Sequence, residues 1–169
     1  MSDHFPLPSE GVRGLASDDR ATATCYCGAV QIAFPVKGDG FVDSFICNCT
    51  DCHKITASMF ASNFIIKEKD TVHTRGLDKV TKWAQKKTIA SGNTMENNFC
   101  SVCGTLMYRI SSGYPGLLIA RIGTIDNFAL MESKVKPRLE QYTKDRVAWF
   151  KGADGVAQFE GAGPLGQPF

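Results

Sequence analysis

No apolar run in this sequence approaches the ~20 residues that a membrane-spanning helix needs. The opening MSDHFPLPSE also lacks the charged start and apolar stretch of a secretory signal. Together these absences predict a soluble, cytoplasmic protein with no membrane partner. Charge of one sign is scarce as well: 19 Lys and Arg against 17 Asp and Glu leave a formal +2. Without a basic tract, a nucleic-acid backbone is excluded as the main partner. No glycine-rich phosphate loop precedes a helical segment, and no nucleophile, base and acid assemble into a triad, so covalent catalysis is not indicated. There is no internal repeat, and a sustained apolar stripe of period 3.6 is missing.

What is present instead is alternation. Val30, Ile32 and Phe34, then Phe60, Phe64 and Ile66, then Leu106, Tyr108 and Ile110, then Leu118, Ala120 and Ile122 follow strand spacing. Turn signals at Lys37–Gly40, Ser91–Asn93 and Ser111–Pro115 separate these runs. The pattern predicts a mainly β fold, with Asp126–Lys134 as the best helical segment. At 169 residues and 43% hydrophobic the chain fits one domain, which buries about 70% of its unfolded surface without a disulfide staple. An N-terminal arm over residues 1–20, a domain over 21–151 and a Gly- and Pro-rich tail over 152–169 are expected. Trp83, Phe99, Tyr108 and Trp149 read as core residues of alternating strands, with the wall of an apolar substrate site as the other reading.

The seven cysteines carry the chemistry. An odd number cannot all pair, and disulfides are rare in a reducing compartment. Cys25 and Cys27 stand at i and i+2, so in an extended chain both thiols project to one face and reach a single ion. Cys100 and Cys103 have the C-x-x-C spacing of a tight turn, and Gly104 after them permits a positive φ. Those four would make a coordinatively closed, structural site. Cys47, Cys49 and Cys52 offer three thiolates within six residues and leave a fourth position open, as catalytic zinc sites do. Iron–sulfur binding, a single larger structural site, and His53 completing the middle group stay open on spacing alone. His4 and His73 have no ligand-like neighbours in the sequence.

The pattern C-Y-C-G-A-V, C-N-C-T-D-C and F-C-S-V-C-G-T resembles the glutathione-dependent formaldehyde-activating enzyme family, also called the centromere protein V/GFA domain. Ile119–Asp126, Lys136-Pro137-Arg138 and Arg146–Phe150 resemble later segments of that family, and the likeness covers about residues 20–150. The resemblance implies a β-tent fold shared with methionine sulfoxide reductase B. It also implies two zinc ions, a structural one on Cys25, Cys27, Cys100 and Cys103 and a catalytic one on Cys47, Cys49 and Cys52. Where many members have Arg directly after the third middle cysteine, this chain has His53 and then Lys54.

The activity so implied is carbon–sulfur lyase chemistry, with glutathione as substrate or co-substrate: reversible addition of the thiol to formaldehyde, or cleavage of a related thioether. Full ionisation of the thiols with two divalent ions bound turns the small positive charge slightly negative, so local cations must bind the substrate carboxylates. Lys54 and Arg121 are the candidates, since they lie within or beside the resembling motifs. The hydroxyls of Thr56 and Ser58 are candidates to orient substrate or water. The rival expectation is a non-enzymatic zinc module in a chromatin or protein complex. The sequence sets no oligomeric state.

Overall fold

The structure is a computed structural model that describes residue 17 and residues 19–167, so the expected arm over residues 1–20 lies almost wholly outside the described residues. Two sheets form the body. Strands β1 (Arg20–Thr24), β2 (Gln31–Pro35) and β5 (Val72–Arg75) make an antiparallel sheet in the order β1-β2-β5. The second sheet contains β3 (Phe41–Cys47), β4 (Ala61–Lys67), β6 (Val80–Gln85), β7 (Met95–Cys100), β8 (Leu106–Ser111), β9 (Leu117–Arg121), β10 (Leu139–Gln141) and β11 (Ala157–Phe159). Its eight strands run in the order β11-β10-β3-β4-β9-β8-β7-β6. The mainly β expectation holds, and all four alternating runs fall on or beside strands.

The period of two decides what each face does. Phe64 and Ile66 of β4, Tyr108 of β8 and Leu118 and Ala120 of β9 face the small sheet, where Ala23, Ile32 and Phe34 meet them in one buried cluster. Phe34 and Phe64 have ring centroids 4.7 Å apart. The intervening residues point to the opposite face, where Phe45, Cys47, Ala61, Ile65 and Leu139 pack with Cys52. That second face carries the chemistry described below.

Helix is scarce, and its placement corrects the sequence reading. Of Asp126–Lys134 only α2 (Phe128–Met131) is helical, a single turn whose N-cap, Asn127, makes no side-chain capping bond. Leu130 and Met131 pack on the core while Phe128 stays exposed, so the apolar residues do not share one face for longer than a turn. The other helix, α1 (Thr50–Thr56), reads TDCHKIT; seven residues with so few apolar positions hold no detectable period. Trp83 and Trp149 are also not core residues, being 55% and 72% exposed. Trp83 stands on β6, the outermost strand of its sheet, and Trp149 on the connection before β11. Tyr108 is buried as expected.

The Gly- and Pro-rich stretch contributes β11, parallel to β10, which is in turn parallel to β3. One buried carboxylate fastens this end. Asp43 accepts from Arg138 Nε at 2.9 Å and Nη2 at 2.6 Å, from the Ser44 N–H at 2.8 Å and from the Gly166 N–H at 2.7 Å. Burial pushes the Asp43 carboxyl up, but the Arg138 guanidinium and the two backbone donors outweigh burial and hold it below the usual carboxylate range.

Asp43→Ala should therefore cost about 2–3 kcal/mol, since it removes the carboxylate partner of Arg138 and the acceptor of two backbone donors, the Ser44 and Gly166 N–H groups. Because the folded pKa is depressed, the contribution is fully present above about pH 4 and is lost as pH falls through the folded value. Urea unfolding of both proteins between pH 6 and 3 checks this: the gap between them should narrow toward acid, and a gap that widens would contradict the assignment.

Candidate functional site

Cys25 directly follows β1, Cys27 lies in the turn toward β2, Cys100 ends β7 and Cys103 lies in the turn before β8. Their four sulfurs lie within 4.8 Å of one another. Cys25 and Cys27 stand 3.6 Å apart and Cys27 and Cys100 3.9 Å. Zinc–sulfur bonds of about 2.3 Å in a tetrahedron give edges of about 3.8 Å, so the donor set fits that ion. Gly104 has φ +76°, the left-handed conformation expected for it, and its N–H returns to the Cys100 carbonyl at 2.8 Å. The Val30 N–H donates to Cys25 Sγ at 3.2 Å.

The second group is local in sequence. Cys47 ends β3, Cys49 is the N-cap of α1 and Cys52 lies inside the helix. The three sulfurs again lie within 4.8 Å of one another, and all seven cysteines are free thiols. Three sulfurs leave one tetrahedral corner to another ligand; His53 stands outside the group. Cys47 donates to Cys49 Sγ at 3.5 Å. This bond, with further donation from Cys52, brings the Cys49 thiol down to about 2, and Arg109 adds to the effect. The same bond and burial hold the Cys47 thiol above its usual range. The loop is fixed from below: Asn48, wholly buried, donates from Nδ2 to Glu140 Oε1 at 2.8 Å, and Arg146 Nη1 donates to the same oxygen at 3.0 Å.

Strand register surrounds the three sulfurs with polar side chains. Asn97 of β7 stands opposite Arg109 of β8, and Asn63 of β4 opposite Arg121 of β9. All four are at least nine-tenths buried. Arg109 Nη1 donates to Cys52 Sγ at 3.7 Å, and Arg121 Nη1 donates to Asn63 Oδ1. Burial brings Arg121 down to about 10, against the raising effect of the Cys52, Cys47 and Cys49 thiolates; it is charged at neutral pH. Beside this layer lies a cavity of about 570 Å³, whose lining includes Asp51, Lys54, Trp83, Lys87, Asn97 and Arg109. Arg109 thus touches the sulfur group at one end and the cavity at the other.

The residues expected from sequence divide accordingly. Lys54 lines the cavity. Arg121 is in the buried layer beneath the cluster, paired with Asn63. The Thr56 hydroxyl donates to the Cys52 carbonyl at 2.7 Å, a bond internal to its helix, and Ser58 donates its backbone N–H to the His53 carbonyl at 3.2 Å. Arg109, Asn97 and Asn63 are not among the residues expected from sequence, whereas Trp83 stands in the cavity lining, as the other reading of the aromatic residues has it. The available signal was polarity on strands whose neighbours are apolar, such as Arg109 between Tyr108 and Ile110.

A family model described as glutathione-dependent formaldehyde-activating enzyme matches residues 20–145. Among solved structures, the crystal structure of a Rhodobacter sphaeroides protein matches with 18% identity and a TM-score of 0.49, covering 82% of this chain and 98% of that one. No curated protein matches the sequence.

Metal-free, reduced protein should react with iodoacetamide at Cys49 before Cys47 or Cys52. Cys49 is only partly buried, whereas Cys47 and Cys52 are buried. Peptide mapping by mass spectrometry checks the order, and initial labelling of Cys47 would contradict it.

Proposed function

This chain belongs to the glutathione-dependent formaldehyde-activating enzyme family, and from that premise we propose that it is a zinc-dependent carbon–sulfur lyase. Its substrate is a glutathione adduct, S-hydroxymethylglutathione or a related thioether, formed and cleaved by reversible thiol addition. The observation that carries this reading is the three-sulfur group abutting, through Arg109, a cavity of about 570 Å³. A non-enzymatic zinc module in a chromatin or protein complex would have no use for a cavity at that position.

Two zinc ions are part of the reading. The ion held by Cys25, Cys27, Cys100 and Cys103 would be structural, while one held by Cys47, Cys49 and Cys52 would supply a Lewis acid open to a sulfur or oxygen ligand. The protein's own groups do the rest. In the addition direction a thiolate forms the C–S bond at the carbonyl carbon, the C=O electron pair moves to oxygen, and that oxygen takes up a proton. Elimination reverses each transfer. Arg109, donating to Cys52 Sγ, holds that ligand in place and keeps positive charge beside the reacting atoms. Lys54, Lys87 and Arg109 outnumber Asp51 around the cavity, which suits a tripeptide with two carboxylates. Asp51 is itself held by the Thr88 hydroxyl at 2.6 Å, and Trp83 offers an apolar wall.

The catalytic unit on this reading is residues 21–151, and a cytoplasmic location accords with seven reduced thiols. No helix among the described residues is long and apolar enough to cross a membrane.

Metal-replete protein should hold about two zinc equivalents per chain, and a value of one that added zinc does not raise would sink the partition. Free-thiol release from a panel of glutathione adducts tests the activity directly; release from none of them would remove the lyase reading.

Separating the two sulfur groups gives a further check. Cys103→Ser breaks the group joining distant strands, so a lowered melting temperature and aggregation are expected. Cys49→Ser should lose thiol-release activity almost entirely while melting near the parent protein. Melting curves, rates and bound zinc on the same samples decide it, and a Cys49→Ser protein that unfolds as readily as Cys103→Ser would make the middle group structural.

A further inference from the structure

The layer beneath the three sulfurs holds three buried donors with no hydrogen-bond partner: Arg109 Nε, Arg121 Nε and Arg121 Nη2. The residues that carry them are 8% and 7% exposed. Leaving a charged donor unsatisfied in such a place is costly, so unpartnered buried guanidinium groups are uncommon. A metal ion on the cysteines does not remove the need, because a cation cannot accept an N–H bond. A lone-pair acceptor is needed, and the layer's own unpartnered acceptor, Asn97 Oδ1, bonds to none of the three.

The geometry narrows the ligand. Arg121 has committed Nη1 to Asn63, and the two nitrogens left over, Nε and Nη2, share one edge of the guanidinium, the two-pronged edge that matches a planar two-oxygen group. Arg109 faces Ile119 across the β8–β9 ladder, so Arg121, two residues further on, is its diagonal neighbour on the same face and within reach of a long side chain. Arg109 adds a third donor, its free Nε, and is also the residue that meets both the cavity and Cys52 Sγ. A single alkoxide oxygen would leave part of this array unused, whereas a carboxylate has enough lone pairs for all of it.

We propose that Arg109 and Arg121 form a buried oxyanion subsite beside the three-cysteine group that takes a carboxylate on the carbonyl partner, so that the adduct formed and cleaved is that of a carboxylate-bearing aldehyde. The proposal rests on the lyase reading for the identity of the reaction, but the subsite itself can be tested without turnover. The carboxylate is a spectator in the chemistry: the thiolate adds at the aldehyde carbon, the C=O pair moves to its oxygen, which takes up a proton, and the carboxylate stays on the arginines throughout.

The test uses metal-replete protein and two probes of equal shape, acetate and acetamide, at constant ionic strength. Acetate should raise the melting temperature and acetamide should not. Arg121→Gln should abolish the acetate response with bound metal unchanged by elemental analysis. Arg121→Lys, which keeps the charge but not the fork, should lose most of it, and serves if the Gln variant folds poorly. In turnover, kcat/KM for the glutathione adduct of glyoxylate should fall in these variants about 10- to 100-fold further than that for S-hydroxymethylglutathione, as expected when charge-assisted hydrogen bonds are removed.

Equal responses to acetate and acetamide would mean that water fills the site, and would overturn the proposal. So would an acetate response that survives in both variants. Equal losses for the two adducts, without acetate binding, would assign the arginines to the adduct oxygen and overturn it likewise. Arg121-dependent acetate binding in a protein that releases thiol from no adduct would uphold the subsite and sink the lyase reading instead.

Discussion

The gathering of Cys25, Cys27, Cys100 and Cys103 is the constraint on which the arrangement of the two sheets depends. Two of the sulfurs belong to the turn that joins β1 to β2 and two to the turn that joins β7 to β8, so the group fastens a hairpin of the small sheet to a hairpin of the large one. Cys25 and Cys100 are 0% and 1% exposed and lie in the same buried cluster as Ile32, Phe34 and Phe64. Apolar burial and the four sulfurs therefore share one interface: the first brings the sheets together without direction, and an ion on the sulfurs would fix which ends meet.

With one face of the large sheet occupied in this way, the other is left to polar chemistry. Burying two arginines and two asparagines on a sheet is unfavourable unless charge and hydrogen bonds compensate, and the sulfurs of Cys47, Cys49 and Cys52, once ionised to hold a metal, would supply the opposite charge. The relationship is mutual. Arg109 favours ionised Cys49 and Arg121 favours ionised Cys52, and the sulfur group in turn favours charged Arg121. The site and the layer below it are best regarded as one electrostatic unit laid across β3, β4, β7, β8 and β9.

Rigidity of the sulfur-bearing loop comes from a third quarter. Asn48 sits between Cys47 and Cys49, and its amide is held by Glu140, which Arg146 and the Ala153 N–H hold in turn. Asp43 fastens the following stretch through Arg138 and Gly166. The chain's last strands thus brace the loop from behind, leaving α1, with Lys54, and β6, with Trp83, to shape the cavity in front. Supporting groups of this kind keep reacting atoms within the narrow geometry that catalysis needs.

How much was legible in the sequence follows from how far apart the interacting residues lie. The i and i+2 spacing of Cys25 and Cys27, the turn spacing of Cys100 and Cys103, and the compact Cys47, Cys49 and Cys52 are local facts, so the division into four sulfurs and three could be read before any fold was known. The alternation of Phe64 and Ile66 or Leu118 and Ala120 likewise fixed strands, because a side-chain period of two is a property of the backbone. Tertiary structure decided the rest. Arg109 meets Cys52 across 57 residues and Arg121 meets Asn63 across 58, pairings set by strand order and register, which no short stretch encodes. Trp83 looked like core because it alternates, yet β6 is an edge strand with no further strand beside it among the described residues. Thr56 looked like a substrate contact because it follows the cysteines, yet helix geometry places the Cys52 carbonyl four residues back within reach of its hydroxyl. The two groups of cysteines that could hold a metal were written along the chain, whereas their surroundings, which set charge and access, were fixed only when the strands were laid side by side.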